Sequence, residues 1–387
     1  MRIDTRILLL VLVCVGLCSL SAPAQRRGQI LESRASEPKT TQEGNTLQAM
    51  QTPVLGFVYG AERGAPRPVL GDPSISILGG RGELRPILGI AGASVFGGPL
   101  AVPAGVTSVH FAPGQNYALL PERTGDSIGL MTFQGAVEGS LIAISGGISQ
   151  PDIISFSPSG NAAALYSKAE GRLQVIIGLP DSPQVARVIP RNDLPDEVRF
   201  LAVADDEVTL LEGTAHSAIY LLPEGGSPQF LHGVGDLEGL AFVPGSGDVV
   251  VFDREGGTAF LLQEVTSASA YFALAEGLTG LGGNVFLQVN SGSAILASTN
   301  SNNLCQIDLQ SLLAQNIHLP GLPQMLQPLR TSGDYLLFYQ PGQPAWILDS
   351  HGEAGAVSFV PASTQSDPRR RLVPLARSAG SLVDANE

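Results

Sequence analysis

The chain has 387 residues, with 22 Lys and Arg against 35 Asp and Glu, a formal charge of −13. Charged residues are 15% of the total and apolar residues 44%, with 46 Gly and 28 Pro; an ordinary soluble domain is roughly 25% charged. That balance excludes a coiled coil, a long charged helix or a collagen-like rod. The acidic excess, with only Lys39 and Lys168 as lysines, excludes nucleic-acid binding through bulk positive charge.

Arg2 and Arg6 precede an uncharged run from Ile7 to Leu20, and Ala22-Pro23-Ala24 follows. A basic start, a short apolar segment and a small-x-small triplet predict a signal peptide over residues 1–24, cleaved near Ala24. The run is 14 residues long, short of the roughly 20 that cross a bilayer as a helix. The mature chain is therefore expected to have no transmembrane span and to be periplasmic or extracellular. Cleavage leaves 20 basic and 34 acidic residues, a charge of −14, and removes Cys14 and Cys18. Cys305 then stands alone and cannot form an intrachain disulfide. Residues 25–52 are polar, lack an apolar period and read as a flexible leader.

The segment from Pro53 to Pro99 holds Leu55–Tyr59, then Arg67-Pro68-Val69-Leu70-Gly71 and its near copy Arg85-Pro86-Ile87-Leu88-Gly89, 18 residues further on. Proline beside each apolar run favours edge or outer strands. From residue 105 a different phrase recurs. Ser108-Val109-His110-Phe111-Ala112-Pro113-Gly114 leads into Tyr117–Leu120, Ile153–Gly160 into Ala162–Tyr166, and Gly239–Gly245 into Asp248–Phe252. Phe111 and Phe156 lie 45 residues apart, and Phe156 and Phe242 lie 86 apart, twice 43. Fainter copies at Phe200–Val203, Val285–Val289 and Gln327–Arg330 complete six units, beginning near residues 105, 150, 197, 236, 278 and 321.

Each unit contains several short apolar runs broken by Gly, Pro, Asn and Ser, which predicts strands and tight turns. Leu309–Asn316 is the one stretch with a helical period. Four strands per repeat of 40–45 residues make a β-propeller blade. The expected fold is all-β, a propeller over residues 53–361 with Pro53–Pro99 as a divergent first blade of seven. Six blades plus an N-terminal extension is the alternative. Residues 362–387, with Arg369-Arg370-Arg371, read as a disordered tail. The Phe-x-Pro-x-Gly phrase followed by an apolar strand resembles the repeats of TolB-type and YVTN-type bacterial β-propellers, over residues 105–360.

Local motifs for chemistry are absent. His110, His216, His232, His318 and His351 are widely separated, and no zinc-spaced pair, nucleophile elbow or phosphate loop occurs. Cys305, in an alternating run without a neighbouring His or cation, is expected to be a buried small apolar residue, and Trp346 a core residue. The phrase Asp236-Leu237-Glu238-Gly239 resembles the Glu-Gly stretch of calcium-dependent propeller hydrolases of the gluconolactonase and phytase kinds, which implies a channel-bound calcium. Four residues before the repeat anchors stand Thr107, Asp152, Arg199, Glu238, Gly283 and Met325. Two carboxylates with an arginine between them make a poor cation cage. They suit a polar channel mouth, with Asp152, Arg199 and Glu238 as binding candidates and Arg199 paired to one of the two acids. The leading expectation is an exported, non-catalytic propeller without a cofactor, binding a protein, peptide or glycan in the bacterial envelope. A calcium-dependent hydrolase is the alternative.

Overall fold

A computed structural model describes residues 52–61 and 82–362, apart from 124, 208, 268–269 and 352–354. The expected signal peptide, nearly all of the leader and tail, and the first Arg-Pro copy at residues 67–71 lie outside the described residues. Among the described residues the chain forms seven antiparallel sheets, each built from consecutive strands. The first blade has three strands, Val54–Ala61, Gly82–Ile90 and Ala93–Phe96, and each of the other six has four. The strands that open blades two to seven are His110–Phe111, Ile153–Phe156, Val198–Val203, Leu237–Phe242, Val285–Val289 and Gln327–Pro328. Each begins one to seven residues after the repeat start read from the sequence, with the largest offsets in the last two blades.

Burial explains the composition of the strands. The second strand of a blade is covered on both faces by its neighbours, and Ala163–Ser167, Leu210–Thr214 and Ser293–Ser298 are buried at every position. Strands covered on both faces read as continuous apolar runs. The outermost strands, such as Gln184–Pro190, alternate between exposed positions and positions that are partly or, at Ile189, fully buried. Hydrophobic clusters fill the gaps between consecutive blades. A further cluster around Phe57 joins the first blade to both the second and the last. The ring thus closes by sheet packing, with each described sheet keeping its own segment of chain.

The stretch Leu309–Asn316 is not helical; it forms a turn and the start of the strand Ala314–His318. The carboxylate of Asp308 accepts the backbone N–H groups of Gln310 and Ser311 at 3.0 and 2.6 Å. Leu312 then takes a left-handed φ of 59°. A side chain that bonds the following backbone in this way favours a turn over a helix.

Candidate functional site

Arg199 and Glu238 occupy matching places on neighbouring blades, and each lies at a β-bulge. In blade four the register shifts between Val198 and Phe200, and in blade five between Leu237 and Gly239. A bulge inserts one residue into a strand and redirects its side chain. Here the two bulged side chains meet: the Arg199 guanidinium bonds Glu238 Oε1 and lies 3.1 Å from Asp236 Oδ1. Arg254, across the hairpin from Asp236, bonds Asp236 Oδ2 and reaches Glu238 Oε1 at 3.1 Å. Its other contact is the carbonyl of Gly283, at 3.2 Å, on the approach to blade six. Two guanidiniums and two carboxylates therefore stitch three blades together with no net charge.

Asp236 is held by its own hairpin, because Asp253 Oδ1 accepts the Asp236 N–H at 2.9 Å. The Glu238 side chain is only 6% exposed. Burial pushes its pKa up, opposed by the positive charges of Arg199 and Arg254. Arg199 also lies over the Phe200 ring, 5.3 Å from its centroid. Glu238 is the buried member and the other three reach solvent, so desolvation of Glu238 and screening of its partners both offset the Coulomb attraction.

Asp152 is exposed, and its Oδ2 accepts the backbone N–H of Lys168 at 2.7 Å. It serves a hairpin, while Arg199 is taken by Glu238 and Asp236. The repeat register read from sequence also needs correction in the last two blades. The residue that closes each first hairpin by donating its N–H is Ala112, Ser157, Ala204, Val243, Asn290 or Leu329. Counting back equally from these makes Val285 and Gln324, not Gly283 and Met325, the equivalents of Arg199 and Glu238. Asp236 and Arg254 complete the network, and sequence reasoning did not assign them. Arg254 follows Glu238 by 16 residues, the length of a two-stranded hairpin, and that spacing was the available signal.

Within the ring, the opening strands of blades two to seven line a cavity of about 430 Å³ that includes Glu238. Its walls carry Phe111, Phe156, Leu240, Val285, Leu287 and Val289, with Arg330 among the few charged groups. The volume is within the roughly 300–1,000 Å³ typical of ligand pockets. Cys305 is buried away in blade six, and burial raises its thiol pKa to about 11. Trp346 is partly buried, packed against Phe338 with centroids 5.0 Å apart.

The seven sheets around one central cavity define a β-propeller. No protein-family model matches the sequence, and no curated protein matches it. Among solved structures, the chain is similar to a functionally unknown protein from Desulfotomaculum acetoxidans, with 13% identity and a TM-score of 0.46 over 63% of this chain and 78% of that one. It is also similar to hydrazine synthase from Kuenenia stuttgartiensis, with 14% identity and a TM-score of 0.45 over 75% of this chain and 94% of that one. Neither likeness bears on what this chain binds.

Proposed function

We propose that this chain is an exported, non-catalytic binding propeller of the bacterial envelope, of the TolB- and YVTN-like kind. Its channel takes an apolar side chain or short segment from a protein or peptide partner. The observation that carries this reading is the channel wall, where aliphatic and aromatic groups such as Phe156, Leu240 and Leu287 outnumber polar ones such as Asn284, Gln288 and Asn290. The formal charge of −13 favours neutral or basic partners. The hydrolase reading fits the residues less well. Calcium takes roughly six to eight oxygen ligands, whereas Glu238 and Asp236 are each bonded by guanidiniums that an ion would have to displace.

Titration of the tag-free mature protein with anilinonaphthalene sulfonate, a fluorescent probe whose aromatic rings report apolar sites, tests this directly. Saturable binding at one equivalent, displaced by short apolar peptides, is expected. Ser155 lines the cavity, and the Ser155→Trp variant should abolish probe binding while melting as the parent does. Absence of saturable binding, or calcium-dependent turnover of lactones or phytate, would overturn the proposal.

A further inference from the structure

The last blade carries a second polar cluster, remote in sequence from Arg199 and Glu238. Asp334 opens the strand Asp334–Phe338 and Asp349 ends the strand Ala345–Asp349, and the two are direct partners in the ladder. Like charges directly opposite on a sheet repel and destabilise it. His351 follows in the next turn, and one ligand atom from each of the three residues lies within 4.8 Å of the others.

Asp334 is 4% exposed, and its buried Oδ1 has no hydrogen-bond partner among the described residues. A buried carboxylate oxygen in that condition lacks the compensation that buried polar groups ordinarily find. Burial, with Asp349 beside it, pushes the Asp334 pKa up to about 6. The surroundings are built to hold the three side chains in place. The Gly333 carbonyl accepts both the N–H and the hydroxyl of Ser350, at 2.9 and 2.8 Å, which ties the two hairpin tips together. The His351 ring lies against Gly333, where a Cβ would come within 2.7 Å of Cε1; Gly333 also has a φ of +87°. A side chain at residue 333 would displace the imidazole. His351 Nδ1 is 2.8 Å from Asp349 Oδ1, and both side chains reach solvent, at 58% and 36% exposure.

We infer that Asp334, Asp349 and His351 form a binding site for a divalent first-row cation of the zinc class, which joins the two hairpin tips of the last blade. Two carboxylates and one imidazole supply three ligands and leave a fourth, tetrahedral position for water. The imidazole selects against calcium, which takes oxygen ligands alone. The cation neutralises the two opposed carboxylates and gives the orphaned Asp334 oxygen a partner. The Nδ1–Oδ1 hydrogen bond is exchanged for bonds to the ion. The site borders the channel, whose lining includes Gly333 and Tyr335, but none of its three ligands lines the channel.

The test uses tag-free mature protein stripped with a chelator and dialysed. Zinc chloride should bind at one equivalent by mass spectrometry of the metal content and raise the melting temperature saturably. Cobalt should give the visible absorption of a tetrahedral centre, and calcium should do neither. Asp334→Asn and His351→Ala should each lose the bound zinc and the cobalt spectrum. Asp334→Asn removes a repelling charge, so it should fold at least as well as the stripped parent. Absence of bound zinc in the parent, a response to calcium equal to that with zinc, or zinc retained in both variants would overturn the inference. Channel binding of the fluorescent probe should be unchanged in both variants, so the two proposals fail separately.

Discussion

The side-chain amide of Gln115 accepts the backbone N–H of Phe57 at 2.5 Å, from a turn 58 residues away in the chain. Its Nε2 donates to the carbonyl of Pro328 at 2.8 Å, so one side chain joins the first, second and last blades. Arg330 reinforces the junction. It donates to the Gln115 carbonyl at 3.1 Å and lies over the Phe57 ring, 4.8 Å from its centroid. Because each described sheet uses its own segment of chain, closure depends on these contacts and on the cluster around Phe57.

Gln115→Ala should therefore destabilise the fold by about 2–4 kcal/mol, since it strands a buried donor and a buried acceptor at once. Gln115 has a φ of 47°, which glycine adopts freely. Gln115→Gly removes the side chain while relieving the backbone, and should still unfold at lower urea than the parent. A glycine variant as stable as the parent would show that the amide does not close the ring.

Glu212 is 0% exposed on the second strand of blade four, and neither carboxylate oxygen has a hydrogen-bond partner among the described residues. Burial pushes its pKa up to about 8 from 4.5. The folded state thus holds this proton more tightly than the unfolded chain. Its effect on stability is nil below the unfolded value, grows as a penalty as pH rises towards about 8, and is complete above that. Glu212→Gln should flatten the stability profile between about pH 5 and about pH 9, most visibly in urea midpoints at the alkaline end. A variant with the parent's profile would assign the pH dependence elsewhere.

Arg199→Ala leaves Glu238 buried with Arg254 as its remaining cation. The expected loss is about 1–3 kcal/mol, less than the roughly 3–5 kcal/mol of a buried charge left wholly unpaired, because Arg254 still bonds Glu238. Replacing both partners, as Arg199→Met with Glu238→Gln, should recover a large part of that loss. Denaturation of the two single variants and the double variant measures the coupling. Additive losses would mean that the two bulged side chains do not act as a pair.

Cys305 should resist Ellman's reagent in the folded protein, because its buried thiol has a pKa near 11 and the thiolate is the reactive form. It should react fully in denaturant. Rapid modification under native conditions would show that blade six opens readily.

Most of the architecture could be read from residues that touch their sequence neighbours. The Phe-x-Pro-x-Gly phrases marked the opening strands because a proline and glycine turn must follow a strand that immediately doubles back. Where the turn used other chemistry the reading slipped. The Asn290 side chain accepts the N–H groups of Gly292 and Ser293 at 2.9 and 2.7 Å, making a tighter turn. The inferred anchor in blade six was accordingly two residues early. The same kind of side-chain turn at Asp308 turned an expected helix into a hairpin.

The candidate site divides along the same line. Matching repeat positions place Arg199 between Asp152 and Glu238 without deciding which acid it meets, and they show neither Arg254 nor the bulges. A bulge is one extra residue whose presence depends on how two strands settle against their neighbours. The cluster of Asp334, Asp349 and His351 likewise depends on which residues face each other across a ladder, and a one-residue slip would separate them.

By itself, the sequence determined the all-β class, the period of the repeat and the scarcity of charge, because strands covered on both faces must be apolar and joined by tight turns. Only the tertiary structure decided how the ring closes, which acids Arg199 meets and where Asp334 finds Asp349. Those relations join residues from separate blades or strands, and no local preference of the chain records them.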